Sequence, residues 1–318
     1  MDLLEKYKVT LNNAILAEEF HVPLYAEMVK NYPVQYIAGG AGQNSIRVAQ
    51  WMLQLPNKTA YFGAIGNDEY GNTLEEAAKK DGVNVCYMKN ANMPTGTCAV
   101  LINSKERSLV ANLAAANTFS VDHLSTPEAA AIIDAAGIYY VTGFFLTVSV
   151  DSILTLAKDA CEKNKIFCMN LSAPFLIQFF GEQLASCVPY TDFIFANESE
   201  AAAYGEAKGY GSDIATIALK LAAQPKASGT RARIVVFTQG ADATLVASEG
   251  KVTVFPVEKL PKEMLVDTNG AGDAFVGGFL AMMHLNKPIS ECVRAGHFAA
   301  RTIIQNSGCA FPAECTFI

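Results

Sequence analysis

The sequence lacks any apolar run long enough to cross a membrane, and its first residues lack the basic region and apolar core of a signal peptide. Positive charge is also scarce, since the formal net charge is −7 and the sequence pI is near 5.2. An acidic chain of this kind is a poor partner for nucleic acid or for an anionic membrane surface. We therefore expect neither nucleic acid nor membrane among its partners.

Paired cysteines and clustered histidines are missing as well. The eight cysteines occur singly between Cys86 and Cys315 and form no C-x-x-C pair. A chain of 318 residues can bury a large core without disulfide staples, so reduced and mostly buried thiols are expected. The four histidines are far apart and show no metal-ligand spacing. These absences predict a cytoplasmic protein without a structural zinc site, and a nuclear location stays open.

Strand and helix patterns alternate along most of the chain, which is 51% hydrophobic. Such alternation predicts an α/β fold with a mostly parallel central sheet and helices on both faces. The predicted strands are Val34–Ala38, Thr59–Ile65, Ile138–Thr142, Ile166–Leu171, Phe193–Ala196 and Ile234–Thr238. The predicted helices are Ala41–Gln54, Tyr70–Asp81, Ser149–Asn164, Ser199–Gly205, Ile214–Ala223, Asp273–His284 and Ile289–Gln305.

A pattern of short strands and turns interrupts this alternation between Val83 and Asn117. Within it, Cys98–Ile102 and Ser108–Asn112 flank a polar turn, which is typical of a hairpin. We therefore predict two domains. Residues 38–85 and 114–318 would form a large α/β catalytic domain, and residues 8–37 and 86–113 would form a small β-rich lid.

The strongest local signal is the segment Asp267–Asp273, a tight glycine turn that leads directly into an apolar segment with helical spacing. Gly270 and Gly272 permit a tight turn and close approach of a ligand. A helix N-terminus offers free N–H groups and a positive dipole end, so the turn predicts an anion site, most often for phosphate.

The carboxylate of Asp273 would repel a phosphate in that site. It is better explained as a general base that takes a proton from an attacking hydroxyl, and an intrinsic pKa of about 4 would keep it ionised at pH 7. The alternative is an ordinary acidic residue of the first helical turn, which the helix dipole favours.

The segment Asp267–Gly278 resembles the C-terminal signature of the ribokinase-like (phosphofructokinase-B type) carbohydrate and nucleoside kinases. Further stretches match this family in its order and over nearly the whole chain: Ala38–Asn44, Pro94–Thr97, Arg107–Asn117, Gly143–Thr147, Asn170–Phe175, Asn197–Glu200 and Phe237–Gly240. The resemblance implies a ribokinase-like three-layer fold with a β-rich lid. A Rossmann-type dehydrogenase is excluded because the glycine motif lies at the end of the chain and not after the first strand.

The resemblance implies an enzyme that phosphorylates adenosine at the ribose 5′-hydroxyl with ATP, giving AMP and ADP, a reaction of purine salvage. It assigns Asp273 as the general base and Arg107 as the cation that reaches the transferred phosphate. The alternative for Arg107 is a solvated hairpin residue beside Lys105 and Glu106. The residues of the implied phosphate cradle are Asn269, Gly270, Ala271 and Gly272.

The implied cofactor is Mg²⁺, which would accompany ATP. Asn197 and Glu200 match the family's Asn-x-x-Glu element, which organises the ion through water, because Mg²⁺ usually takes few protein ligands directly. The alternative is an N-cap asparagine followed by an acidic first turn, and both roles can hold at once.

The resemblance also assigns substrate-binding residues. Gly39, Gly40 and Asn44 would meet the ribose hydroxyls, although an ordinary strand-to-helix turn is the alternative. The apolar walls around the purine would be Leu16, Leu109, Ala111, Phe144 and Phe175, although such residues are more often plain core. Near ATP would lie Thr238, Gly240 and His297, with a packed helix histidine as the equal alternative for the last.

The match to the family is incomplete at the N-terminus. The family's chains begin with a further strand whose aspartate holds the ribose 2′- and 3′-hydroxyls, and no residue here matches that aspartate. Losing two charge-assisted hydrogen bonds would cost on the order of 3–6 kcal/mol. Two alternatives therefore stay open: another ribokinase-like sugar or nucleoside kinase, and a non-catalytic nucleoside-binding protein. A monomer is expected from the family.

Overall fold

Helices and strands alternate along residues 3–11, 13–103, 106–227 and 230–317, the part of the chain that the computed structural model describes. The helices are α1 Leu3–Lys6, α2 Val22–Asn31, α3 Ala41–Leu53, α4 Glu69–Lys80, α5 Pro127–Ala135, α6 Val150–Glu162, α7 Pro174–Phe179, α8 Gly181–Cys187, α9 Glu198–Lys208, α10 Ile214–Ala222, α11 Ala271–His284 and α12 Ile289–Ile303. The strands are β1 Ala14–Leu16, β2 Ala60–Gly66, β3 Asn84–Asn90, β4 Thr97–Asn103, β5 Glu106–Asn112, β6 Ile138–Thr142, β7 Ile166–Asn170, β8 Phe193–Asn197, β9 Ile234–Gln239, β10 Asp242–Ser248 and β11 Lys251–Phe255.

Residue contacts divide the chain into two units. Unit 1 consists of Met1–Phe119, Leu260–Gly277 and Ala299–Ile318. Unit 2 consists of Ser120–Lys259 and Gly278–Phe298. No helix in the described ranges is both long enough and apolar enough to span a membrane.

Unit 1 contains two small sheets. Strands β4 and β5 form the predicted antiparallel hairpin, and β1 pairs with β5 in parallel. The predicted turn residues Ser104 and Lys105 lie outside the described residues. Strands β2 and β3 form a separate parallel pair, joined through α4. The three strands of the first sheet fall within the predicted lid ranges, whereas β3 pairs with a strand of the predicted large domain, and the division into lid and large domain stays a prediction.

The predicted strand Val34–Ala38 is wrong, because these residues form no strand. Tyr36 and Ile37 are about half exposed or more. The apolar residues that suggested a buried strand therefore do not pack in a core. Tyr36 instead stacks its ring on Tyr70, with the ring centroids 5.5 Å apart. The alternation of apolar residues was too short to distinguish a strand from an irregular segment held by side-chain contacts.

The parallel sheet of unit 2 confirms the predicted α/β class. Its strand order is β11-β10-β9-β8-β7-β6, with β6 to β9 parallel and β10 and β11 antiparallel at one edge. Successive side chains of a strand point to opposite faces of the sheet, so β8 contributes side chains to the packing on both faces. Ile194 and Ala196 belong to the cluster formed with α6, α8, α9 and α10. Phe193 and Phe195 contact the ring of Phe279 from α11, with centroids 5.8 and 5.1 Å apart.

In unit 1, α3 and α11 approach each other closely at Gly277. A Cβ atom at this glycine would lie 2.5 Å from the carbonyl oxygen of Ser45 and 2.7 Å from the Cβ of Val48. Residues four apart share a helix face, so this contact also brings Asn44, one turn before Val48, towards Asp273, one turn before Gly277. The small residue therefore determines the distance between two predicted site residues.

Gly277→Ala should destabilise the protein, because the added methyl group meets the backbone of α3. We expect a loss of about 1–3 kcal/mol in unfolding free energy, the usual range for an overpacked contact, measured by urea unfolding. Gly181→Ala is the matched control. Gly181 opens α8 and a Cβ there would meet nothing within 4 Å, so that variant should be neutral or slightly stabilised. Equal stability of the two variants would contradict the close approach.

Candidate active site

Unit 1 brings the predicted base and the predicted ribose-binding asparagine together. Gly270 has a φ of +78° and its carbonyl accepts a hydrogen bond of 2.8 Å from the Ala274 amide, so α11 starts directly after the glycine turn. Asp273 lies in the first turn of this helix. Its Oδ2 accepts a hydrogen bond of 3.0 Å from Asn44 Nδ2. A carboxylate and an amide that are 229 residues apart in sequence thus form one polar group.

The environment of Asp273 alters its acidity. Removal from water raises the pKa of the carboxyl from its ordinary value of 3.8 to about 6, and the hydrogen bond from Asn44 acts in the opposite direction. The sequence-based expectation of an unperturbed pKa near 4 was therefore too low. With a pKa of about 6, the group is still mostly ionised at pH 7 and is a stronger proton acceptor than an exposed aspartate. Such tuning is typical of general bases.

Asn44 has a second side-chain polar atom, Oδ1, that is buried. Its backbone amide bonds to the carbonyl of Gly40, which precedes α3 with a φ of +94°, a conformation that favours glycine. The side chain is 9% exposed. Among the described residues its buried Oδ1 has no hydrogen-bond partner. A buried acceptor of this kind costs free energy unless something donates to it, and a ribose hydroxyl is a suitable donor.

Arg107 is not a solvated hairpin residue. It lies in β5, opposite Ile102 of β4, and its side chain is 10% exposed. The Nε atom donates to Asp267 Oδ1 at 3.0 Å, and Nη2 donates to the carbonyl of Val266 at 3.3 Å. Lys105, the neighbour named in that alternative, lies outside the described residues. The guanidinium is therefore held at the first residue of the glycine turn.

The turn is closed by hydrogen bonds of its own backbone amides. Asp267 Oδ1 accepts a hydrogen bond from the Asn269 amide at 2.9 Å, and the Ala271 amide bonds to the Thr268 carbonyl at 3.3 Å. Gly272 is exposed, and a Cβ atom there would meet nothing within 4 Å. The backbone at the start of α11 is thus accessible to a ligand. Binding of phosphate by Asn269, Gly270, Ala271 and Gly272 stays a prediction.

Three predicted wall residues share one face of the small sheet in unit 1. Leu16 pairs with Ala111, and Leu109 precedes Ala111 by two residues, so all three side chains lie on the same side. They are partly exposed. The opposite side, with Val110, is buried in the core formed with α1 and α2. The structure therefore gives one buried face and one accessible apolar face.

In unit 2, the predicted ATP-side residues follow the carboxyl ends of parallel strands, the usual position of ligands in open α/β sheets. Asn197 ends β8 and pairs in register with Thr238 of β9. Gly240 follows β9 with a φ of +57°. The rings of Phe144 and Phe175, which follow β6 and β7, have centroids 6.3 Å apart.

The Asn-x-x-Glu element forms a capping box at the start of α9. Asn197 Oδ1 accepts from the Glu200 amide at 2.9 Å, and Glu200 Oε2 accepts from the Asn197 amide at 3.0 Å. The sequence alternative of an N-cap is thus present. No group of three or more potential metal ligands occurs in the described ranges. Mg²⁺ needs only one or two carboxylates besides substrate phosphates and water, so Glu200 is compatible with an ion that arrives with ATP.

His297 packs within unit 2. Its Nε2 lies 2.8 Å from Thr244 Oγ1, which is consistent with a hydrogen bond, and burial lowers the pKa of the imidazole. This contact fits the alternative of a packed helix histidine. Its location near the ATP base stays a prediction.

Sequence reasoning assigned no role to Asp267. Its only signal was its place as the first residue of the quoted motif. The residue that it binds, Arg107, lies 160 positions earlier in the chain. No spacing rule connects residues so far apart.

Comparisons with known proteins identify the family of this chain. Residues 1–315 match the profile of the pfkB family carbohydrate kinases. Adenosine kinase 2 of Arabidopsis thaliana is 52% identical over 317 residues, which cover 99% of this chain and 92% of that protein. The structure of Anopheles gambiae adenosine kinase in complex with P1,P4-di(adenosine-5) tetraphosphate matches with a TM-score of 0.97 and 50% identity over 99% of this chain and 93% of that one. Adenosine kinase from Schistosoma mansoni in complex with 2-fluoroadenosine matches with a TM-score of 0.94 and 35% identity, covering 98% and 92% of the two chains.

Asp273→Asn should stabilise the folded protein above pH 7 and not at low pH. Because the folded state raises the pKa of this carboxyl to about 6, its contribution to stability is full below its unfolded pKa and is lost as the pH rises through 6. The variant avoids that loss, so we expect about 1–3 kcal/mol of added unfolding free energy at pH 8 and a vanishing difference near pH 4. Urea unfolding at both pH values tests this. Asp134→Asn, a change at an exposed carboxyl, is the control. A pH-independent difference for Asp273→Asn would contradict the assignment.

Proposed function

Because the chain belongs to the pfkB family of carbohydrate kinases, we propose that it transfers the γ-phosphoryl group of ATP to the 5′-hydroxyl of adenosine, giving AMP and ADP. The single observation that carries this proposal is the hydrogen-bonded pair of Asp273 and Asn44 at the N-terminus of α11. The similar proteins named adenosine kinase support the choice of substrate.

Asp273 is the proposed base. It takes the proton of the 5′-hydroxyl as that oxygen attacks the γ-phosphorus, and the proton stays on the carboxylate until product leaves. With a pKa of about 6, most of the carboxylate is ionised at pH 7 and can accept this proton. The Asn44 amide holds one carboxylate oxygen, so the other can point to the hydroxyl. Positioning of this kind accounts for much of phosphoryl-transfer catalysis.

The start of α11 and Arg107 are proposed to stabilise the charge that develops on the transferred group. Backbone N–H groups at a helix N-terminus attract an anion, and a guanidinium presents several donors in a rigid plane. When bound with ATP, Mg²⁺ would neutralise phosphate charge, with Glu200 as the residue that contacts its water shell. The Arg107 side chain is only 10% exposed, and this burial strengthens its electrostatic effect.

The acceptor is proposed to be a nucleoside and not a free sugar. The accessible face with Leu16, Leu109 and Ala111 offers apolar surface to a purine, whereas a free sugar would require polar walls. The neighbouring rings of Phe144 and Phe175, tilted by 43° to each other, offer further aromatic surface in unit 2. We also propose that the protein is a monomer and that it is located in the cytosol. All eight cysteines are free thiols, which fits a reducing compartment.

A phosphorylation assay with ATP tests the proposal directly. Purified protein should phosphorylate adenosine far better than inosine or ribose. Asp273→Asn should lower kcat by about 10²- to 10⁴-fold, the usual contribution of a general base. Asp134→Asn serves as a matched control and should retain full activity. Phosphorylation of ribose in preference to adenosine would support another sugar kinase. Adenosine binding without turnover by folded protein would support a non-catalytic nucleoside-binding protein.

The pH profile of kcat/KM should reveal the link between Asn44 and the base. The acid limb should have its midpoint near pH 6, the pKa of Asp273, because kcat/KM reports the free enzyme. Asn44→Ala removes a hydrogen bond that lowers this pKa, so the acid limb should move to higher pH as well as losing rate. Asn31→Ala, at the exposed end of α2, is the control. A rate loss without any movement of the limb would restrict Asn44 to substrate binding.

A further inference from the structure

We propose that Asp267 is a positioning residue for phosphoryl transfer, because it holds one edge of the Arg107 guanidinium at the glycine turn that precedes α11. The inference rests on the proposed function, in which Arg107 contacts the transferred phosphate. It adds a residue for which the family resemblance implied no role.

The contact between the two side chains has a defined geometry. Arg107 Nε donates to Asp267 Oδ1 at 3.0 Å, and Arg107 Nη2 donates to the neighbouring carbonyl of Val266 at 3.3 Å. A guanidinium is planar, so two bonds along one edge determine the orientation of the whole group. The two side chains are only 10% and 8% exposed, so water competes weakly for these bonds.

Asp267 is itself firmly held. Besides Arg107, its carboxylate accepts hydrogen bonds from the amides of Asn269 at 2.9 Å and Gly308 at 3.3 Å. Its own backbone amide donates to the carbonyl of Ile304 at 3.1 Å. The carboxylate therefore joins three segments of unit 1, namely β5, the glycine turn and the chain after α12. One of those segments is the proposed phosphate cradle, so the same carboxylate contacts both Arg107 and the cradle.

Charge explains why an acid at this place assists a phosphate site. A carboxylate beside the cradle would repel phosphate if it stood alone, and Arg107 neutralises it. In return, Asp267 keeps a long and flexible side chain in one conformation before substrate arrives. Ordering the arginine in advance removes an entropic cost from the transition state. Asp267 thus acts through Arg107 and not on the substrate.

A double-mutant cycle distinguishes this role from a merely structural one. Asp267→Asn keeps the size and one acceptor of the side chain but removes its charge. We expect kcat for adenosine phosphorylation to fall by roughly 10- to 100-fold, as for a misplaced catalytic group, with little change in the KM for adenosine. In the Arg107→Met background the same substitution should have almost no further effect on kcat, because residues that act as one unit are non-additive.

Asp81→Asn is the matched control. It breaks another largely buried pair of unit 1, in which Arg47 Nε donates to Asp81 Oδ2 at 2.6 Å. It should lower the unfolding free energy without lowering kcat. In the Arg107→Met background it should likewise leave kcat unchanged. An Asp267→Asn loss that persists in full in the Arg107→Met background would overturn the proposal, as would an unchanged kcat.

A readout that needs no activity separates this inference from the proposed function. The Arg107 Nε–H resonance, assigned by its absence in Arg107→Met, should be protected from solvent exchange in the wild-type protein and in Asp81→Asn. In Asp267→Asn that protection should be lost. Equal protection in Asp267→Asn would overturn the positioning role whatever the activity. Wild-type protein that protects Arg107 but phosphorylates no adenosine would overturn the proposed function and, with it, the catalytic part of the inference.

Discussion

The candidate site depends on the close approach of α3 and α11 in unit 1. Gly277 has no side chain, and its Cα faces the backbone of Ser45 at a distance that excludes even a methyl group. One helical turn away, the same approach allows Asn44 to hydrogen-bond Asp273. Two helices with a larger residue at this position would be too far apart for that bond. The packing of the two helices therefore also determines whether Asn44 can hydrogen-bond the proposed base.

The two aspartates at the ends of the glycine turn, Asp267 and Asp273, have opposite environments. Asp267 is bound by a guanidinium and two backbone amides. Asp273 is withdrawn from water and receives one amide hydrogen bond from a side chain, so its pKa rises to about 6. The first environment pairs the carboxylate with a guanidinium and suits an anchor. The second makes the carboxylate a better proton acceptor. Environments that separate the behaviour of similar acids are typical of enzyme sites.

In unit 2, the predicted site residues Asn197 and Glu200 form a helix capping box. Asn197 and Glu200 satisfy each other's backbone amides at the start of α9, and they follow the carboxyl end of β8, next to Thr238 of β9. Strands β8 and β9 thus carry polar residues at their carboxyl ends, whereas Ala196 and Phe237, one position earlier, are buried. The capping box stabilises the start of the helix, because it satisfies backbone amides that have no partner within the helix.

The sequence alone determined the elements with long periodic patterns, the hairpin of β4 and β5, and the glycine turn before α11, because these depend on neighbouring residues. Periodicity failed at Val34–Ala38, where Tyr36 stacks on Tyr70 and no strand forms. The family motifs predicted Asp273, Asn44 and Arg107 as site residues, and the structure shows the contacts that each of them makes. The raised pKa of Asp273, the bond from Asn44 and the anchor of Arg107 on Asp267 connect residues far apart in the chain. Only the tertiary structure decides such features, since they arise from desolvation and from contacts that no local pattern encodes.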